Sequence, residues 1–237
     1  MRKRPLKDND KRDSETRSVP SAAQQPGLYR GSLGPNGRRV SIAIPRGYSE
    51  NESSPLVLAL HWGGPLYPFI GGDLLAGLVE PALRELGAIM VAPDRTTEDW
   101  INPQSEADLL DLLDRIQAEY AVDPARTLIT GYSIGGMGTW YMAARNQGLF
   151  AAAIPISAQP LPGSADVGWE IPLYVIHGRQ DELFPLAETE AAVRQLEASG
   201  VAVELAVVDP ATHFETERFR EPLQRAIPWI QGTWGQR

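Results

Sequence analysis

Ser133 lies in Gly131-Tyr132-Ser133-Ile134-Gly135, after the strand-forming run Leu128-Ile129-Thr130 and before Met137, Trp140, Tyr141, Met142, Ala143 and Ala144 at helical spacing. A G-x-S-x-G between strand and helix forces a tight turn that strains the serine backbone and lifts its hydroxyl above a sheet. A serine hydroxyl is a weak nucleophile at neutral pH. It needs a base within hydrogen-bond reach, and the base needs an acid to fix its tautomer and stabilise its cation. Asp181 and His213 follow in that order, 48 and 32 residues further on, each just beyond a predicted strand. Together the three would transfer an acyl group through a covalent intermediate. There are three histidines, and His61 reads as a structural part of a glycine-rich loop and His177 has another place, so His213 is the base. Asp181 is preferred as its partner, with the adjacent Glu182 left open. Asp94 comes one strand too early, and Asp209 follows the same strand as His213.

The elements that must hold these residues alternate. Strands are expected at 28–33 and 39–44 around Gly34-Pro35-Asn36-Gly37, whose Asn-Gly is a hairpin signal. The continuous apolar run 56–60 marks a strand covered on both faces and ends in His61-Trp62-Gly63-Gly64-Pro65. A helix follows over 73–86, with Asp73 as N-cap and Gly87 as stop. Next come a strand at 88–92, a loop containing Trp100, and a helix from Ser105 to Tyr120 whose carboxylates suggest a solvated face. Past the elbow, strands are expected at 151–157, 171–176 and 201–208, with helices at 186–199 and 215–231. Residues 159–170 leave no room for a helical lid. Gly135, Gly136 and Gly138 would each cost their helix about 1 kcal/mol relative to alanine, so close packing must compensate. This order predicts an α/β architecture: a mostly parallel, twisted sheet of about eight strands, helices on both faces, and reactive groups at the carboxyl ends of the strands.

The 237 residues suit one domain, 27–237, behind a charged tail, 1–26, expected to be disordered. Net charge is -8, yet residues 1–18 carry seven Lys/Arg against four Asp/Glu, so the body is acidic and a poor partner for nucleic acid. Lys3, Lys7 and Lys11 are all in the tail, which removes lysine chemistry from the body. The absence of cysteine excludes disulfides and a thiolate nucleophile. No two histidines stand at ligand spacing, and neither metal nor cofactor is expected. No run approaches a membrane span, and no signal peptide is visible in the chain as it stands, leaving a cytoplasmic or a secreted location open. Monomer and homodimer are equally open.

GYSIGGMGTW, LALHWGGP, IHGRQDELFP and ATHF resemble the α/β-hydrolase superfamily, and within it the lidless branch of carboxylesterases, phospholipase/carboxylesterase-type enzymes, predicted peptidases and polyester depolymerase-like esterases. The resemblance covers about residues 28–230. It implies Ser133 as nucleophile, Asp181 and His213 as its partners, and an oxyanion hole from the backbone N–H groups of Gly63 and Ile134, with Trp62 as the neighbouring candidate. The usual H-G-x-G or H-G-G-G loop is here His61-Trp62-Gly63-Gly64, and the tryptophan narrows the acyl pocket. A lidless site suits small or short-acyl esters; Trp62, Trp100, Tyr132, Phe184 and Phe214 are placed near its mouth. Phospholipase, thioesterase and feruloyl- or polyester-type activities are alternatives, ahead of a peptidase or a non-catalytic binding module.

Overall fold

The hairpin forms where Asn36-Gly37 stands: β1 (Gly27–Leu33) runs antiparallel to β2 (Arg38–Ile44). The computed structural model describes residues 25–34 and 36–235, so residues 1–24 of the expected tail lie outside the described residues. β3 (Ser54–Leu60) is buried at every position, which is why its sequence reads as an unbroken apolar run. The helical run after it comprises α1 (Ile70–Leu74), a π turn (Leu75–Val79), α2 (Glu80–Leu83) and a 3-10 turn (Arg84–Leu86) ended by Gly87 at φ 61°. Then follow β4 (Ile89–Pro93), α3 (Pro103–Glu119), β5 (Val122–Tyr132), α4 (Ile134–Arg145), β6 (Ala152–Ile156), β7 (Leu173–Gly178), α5 (Leu186–Ala198) and β8 (Val203–Val208). The chain closes with a 3-10 turn (Thr216–Phe219), α6 (Arg220–Arg225) and α7 (Ile227–Trp234).

The eight strands lie in the order β1-β2-β4-β3-β5-β6-β7-β8. β1, β2 and β4 pair antiparallel; every pairing from β4 through β8 is parallel. Alternation along β3 divides two cores. Leu56, Leu58 and Leu60 face a layer with Leu109, Ile116, Trp140 and Leu196, whereas Val57 and Ala59 face one with Leu78, Leu83, Leu223 and Ile230. Helices α3, α4 and α5 therefore cover one face, and α1, α2, α6 and α7 the other. The β6–β7 connection carries only the 3-10 turn Ser164–Asp166, so no lid covers the sheet there. Among the described residues no helix is long and apolar enough to cross a membrane.

Four local expectations are corrected. The first helix starts at Ile70, not Asp73: a Cβ on Gly71 or Gly72 would come within 2.7 Å of Ala92 O or Ser41 Oγ, so these glycines serve close packing, and Asp73 instead bonds Arg30 and Tyr67. α3 opens at Pro103 with Asn102 as its cap, accepting the Ser105 N–H at 2.9 Å; proline suits the first helical position because its missing N–H would be unpaired there. Its carboxylates are not simply solvated, since Glu106 pairs with Arg145 at 2.8 Å and Asp108 with Arg38 at 2.6 Å, tying α3 to α4 and to the hairpin. The C-terminal helix is broken into pieces where Pro222 and Pro228 remove backbone donors.

Candidate active site

β5, β7 and β8 run parallel, so their C-terminal ends share one edge of the sheet, with Ser133, Asp181 and His213 beyond them. Ser133 takes φ 59°, ψ -125° between β5 and α4, a conformation a non-glycine residue holds only when its surroundings over-determine it. The surroundings are the glycines. A Cβ on Gly131 would stand 2.2 Å from Gly135 O, and one on Gly135 1.9 Å from Leu60 O. Gly136 and Gly138 pack as closely, on Ala158 and Trp100. Strand and helix thus approach to backbone contact, which accounts for glycines in the first turns of α4 despite their helical cost.

Ser133 Oγ lies 2.9 Å from His213 Nε2, and His213 Nδ1 lies 2.9 and 3.1 Å from the two Asp181 carboxylate oxygens. An ionised carboxylate only accepts, so the imidazole proton sits on Nδ1 and Nε2 is free to accept from the serine hydroxyl. Asp181 Oδ1 also accepts the backbone N–H groups of Leu183 at 3.0 Å and Phe184 at 2.8 Å. Burial would raise the Asp181 carboxyl, but the bonds from His213, Phe184 and Leu183 and the nearby His213 charge outweigh it and hold it below the usual carboxylate range. The acid and base loops are joined directly: Gln180 N–H donates to Ala211 O at 2.9 Å, and Arg179 pairs with Asp209 at 2.6 Å.

The loop after β3 meets the start of α4. A Cβ on Gly63 would lie 3.5 Å from the Ile134 side chain, and Ile134 opens α4, where an N–H has no intrahelical acceptor. His61 anchors this loop from within. Its Nε2 accepts the Arg95 N–H at 3.1 Å, so its Nδ1–H donates to Trp62 O at 2.7 Å, while Trp100 Nε1–H donates to His61 O at 2.9 Å. Burial lowers the His61 pKa from 6.5 to about 4, with the Trp62 carbonyl opposing, Arg95 assisting and Asp94 opposing. The unfolded chain takes up this proton near pH 6.5 and the folded one only near pH 4. The unfolded state therefore binds more protons in that window, and stability falls as pH falls through it, by about 3 kcal/mol in full. The urea-unfolding difference between wild type and His61→Asn, with wild type the more stable at pH 7, should narrow by roughly that amount between pH 6.5 and 4; a constant difference would contradict it.

The aromatic residues expected at the mouth divide. Trp62 is half-buried on the core, Phe184 is half-buried, and Phe214 is 70% exposed; the Phe184 and Phe214 rings each stand 5.4 Å from the His213 ring. Trp100 and Tyr132, each 2% exposed, do not line the mouth. Their polar tips turn inward, the Trp100 indole to His61 O and the Tyr132 hydroxyl to His213 O at 2.6 Å, because a buried N–H or O–H needs a partner. Glu182, left open as the acid, does not touch the imidazole; its Oε2 accepts the His213 backbone N–H at 2.9 Å. Sequence reasoning missed these two contacts on His213, and adjacency to Ser133 and Asp181 was the available signal. Among exposed large apolar side chains, Leu66 and Tyr67 stand on the loop after β3, Leu183 on the loop after β7 and Phe214 on the loop after β8. A cavity of about 670 Å³ between Leu28, Pro45, Glu80 and Met90 touches none of these residues.

With this geometry established, comparison places the chain. A model of the dienelactone hydrolase family matches residues 88–225, which include Ser133, Asp181 and His213. The chain belongs to the dienelactone hydrolase family. It is 30% identical over 171 residues to feruloyl esterase C of Emericella nidulans, the match covering 70% of this chain and 63% of that relative, so the chain spans under two thirds of its length. Two solved esterases share the fold: a thermostable esterase at TM-score 0.69 and 21% identity, covering 88% of this chain and 63% of the other, and esterase PE8 at TM-score 0.64 and 20% identity, covering 80% and 97%. The α/β-hydrolase resemblance of the elbow thus narrows to the dienelactone hydrolase family, whose matched segment runs from the start of β4 to the end of α6.

Proposed function

We propose that this dienelactone hydrolase family member is a serine hydrolase of carboxylic esters. The observation that carries the reading is the continuous relay Ser133–His213–Asp181 on a strained turn. His213 Nε2 takes the proton from Ser133 Oγ as the oxygen attacks the ester carbonyl. The Gly63 and Ile134 N–H groups receive the negative charge that develops on the carbonyl oxygen, and Asp181 balances the imidazolium. The imidazolium then protonates the departing alcohol, leaving an acyl-serine. Water, activated by the same imidazole, releases the carboxylic acid and restores Ser133.

For the substrate we infer a compact ester with an apolar substituent. The β6–β7 connection carries only a 3-10 turn and so supplies no helical lid to complete the trough that burial of a fatty acyl chain would require. A second reading, an ester of an aromatic acid, is favoured by the similarity to a feruloyl esterase together with the Phe184 and Phe214 rings, each 5.4 Å from the His213 ring. Hydrolysis of p-nitrophenyl esters from acetate to palmitate, beside methyl ferulate, tests both. Activity should peak at short chains, and a higher kcat/KM for methyl ferulate would favour the aromatic reading. A maximum at palmitate would overturn both, and failure of a fluorophosphonate to label Ser133 would overturn the serine mechanism.

A further inference from the structure

The chain neighbours of the serine and of the acid hold the backbone of the base. Tyr132, immediately before Ser133, packs edge-on against Phe219 at 5.3 Å and donates its hydroxyl to the carbonyl oxygen of His213 at 2.6 Å. Glu182, immediately after Asp181, accepts the backbone N–H of His213 at 2.9 Å. Ser133 and Asp181 thus engage the imidazole, and the residues beside them engage both peptide groups of the same residue. His213 needs these bonds. It lies in a loop between β8 and the turn at Thr216, with no ladder or helix to pair its N–H and C=O, and buried backbone groups must find partners. The residue before it is held in the same way, Thr212 N–H and Oγ1 both reaching Glu215 Oε2.

We propose that Tyr132 and Glu182 are positioning residues, a two-sided clamp on the His213 backbone that keeps Nε2 within hydrogen-bond reach of Ser133 Oγ and Nδ1–H on Asp181. The proposal rests on the esterase reading above. The hydrogen bonds of both side chains go to the His213 main chain, and the Tyr132 ring stands 5.8 Å from the imidazole ring. Burial pushes the Tyr132 phenol up, so its O–H stays a donor at every working pH. A phenylalanine would keep the ring packing on Phe219, so the hydroxyl is the part that the clamp explains. Because both anchors follow from the serine and acid positions, a displacement of either loop carries the base with it.

The test uses the full chain as wild type, Tyr132→Phe, Glu182→Ala, Glu182→Gln and the Tyr132→Phe/Glu182→Ala double variant. Three quantities are read: kcat and KM on p-nitrophenyl acetate, the thermal midpoint, and the downfield proton NMR signal of the His213 Nδ1–H bonded to Asp181. Misplacement of a base by about 1 Å costs on the order of 100-fold. Tyr132→Phe and Glu182→Ala should therefore each lower kcat by about 10- to 100-fold with KM within about threefold of wild type. Glu182→Gln, which keeps an acceptor for the N–H, should stay within about threefold in both. The downfield signal should broaden or vanish in the folded double variant. Glu182 is exposed, so its two variants decide the matter if Tyr132→Phe does not fold. Unchanged kcat in both single variants, equal losses for Glu182→Gln and Glu182→Ala, or an undisturbed signal in the double variant would overturn the clamp. If wild type hydrolyses no ester and Ser133 resists fluorophosphonate, the esterase reading fails by itself; the NMR signal then still supports or overturns the clamp.

Discussion

Replacing Ser133 or His213 by alanine is expected to lower kcat/KM on a short-acyl ester by about 10,000-fold or more, with the residual rate set by the oxyanion donors and binding alone. The two losses should not multiply. Serine and imidazole act as a unit, 2.9 Å apart, so the double variant should be about as slow as either single one. Asp181→Asn tests the third member separately. The carboxylate accepts from His213 Nδ1–H and from two backbone N–H groups, and an amide cannot accept at both oxygen positions, so the imidazole is free to turn to the unproductive tautomer. A loss of comparable size is expected there, with KM little changed. Fluorophosphonate labelling is the second readout: absent in Ser133→Ala and slowed in the other two. Turnover of Ser133→Ala within tenfold of wild type would end the covalent mechanism.

Gly135→Ala is expected to be the most disruptive change of a single methyl group. The added Cβ would stand 1.9 Å from Leu60 O, 2.5 Å from Leu60 C and 2.7 Å from His61 O, all backbone atoms of the central strand and the loop carrying Gly63. Backbone in a sheet core cannot yield by the more than 1 Å required without breaking its pairing with β5. A loss of about 4 kcal/mol or more is expected, or failure to fold, measured as the shift in urea midpoint. Gly77→Ala is the control. A Cβ there meets nothing within 4 Å, and the position lies in the helical run after α1. The smaller conformational freedom of alanine in the unfolded chain should raise stability by about 0.5–1 kcal/mol. Comparable effects of the two substitutions would mean that strand β3 and helix α4 do not meet as described.

Some features were legible because they are local. Leu56 to Leu60 read as a central strand since a strand covered on both faces has no polar positions, and it is buried at every residue. Asn36-Gly37 marked the hairpin, and Gly87 the end of the first helical run, through backbone conformations that few other residues adopt. Signals that depend on distant partners misled. Asp73 read as the cap of the first helix, but that helix starts at Ile70, and Gly71 and Gly72 lie inside it, pressed against β4 and β2. Glu106 and Asp108 looked solvated, yet their arginine partners lie 39 and 70 residues away.

The sequence by itself determined the order of the elements, the elbow at Ser133 and the order serine, acid, histidine, because each rests on hydrophobic period, glycine geometry or position at a strand end. The tertiary structure alone decided which carboxylate faces the imidazole, which way the rings of Tyr132 and Trp100 point, and what holds His213 in place. Asp181 and Glu182 are adjacent and chemically alike. A turn of the chain after β7 sends one side chain to Nδ1 and the other to the backbone N–H of the same residue, 32 and 31 residues on, and no local pattern encodes that difference.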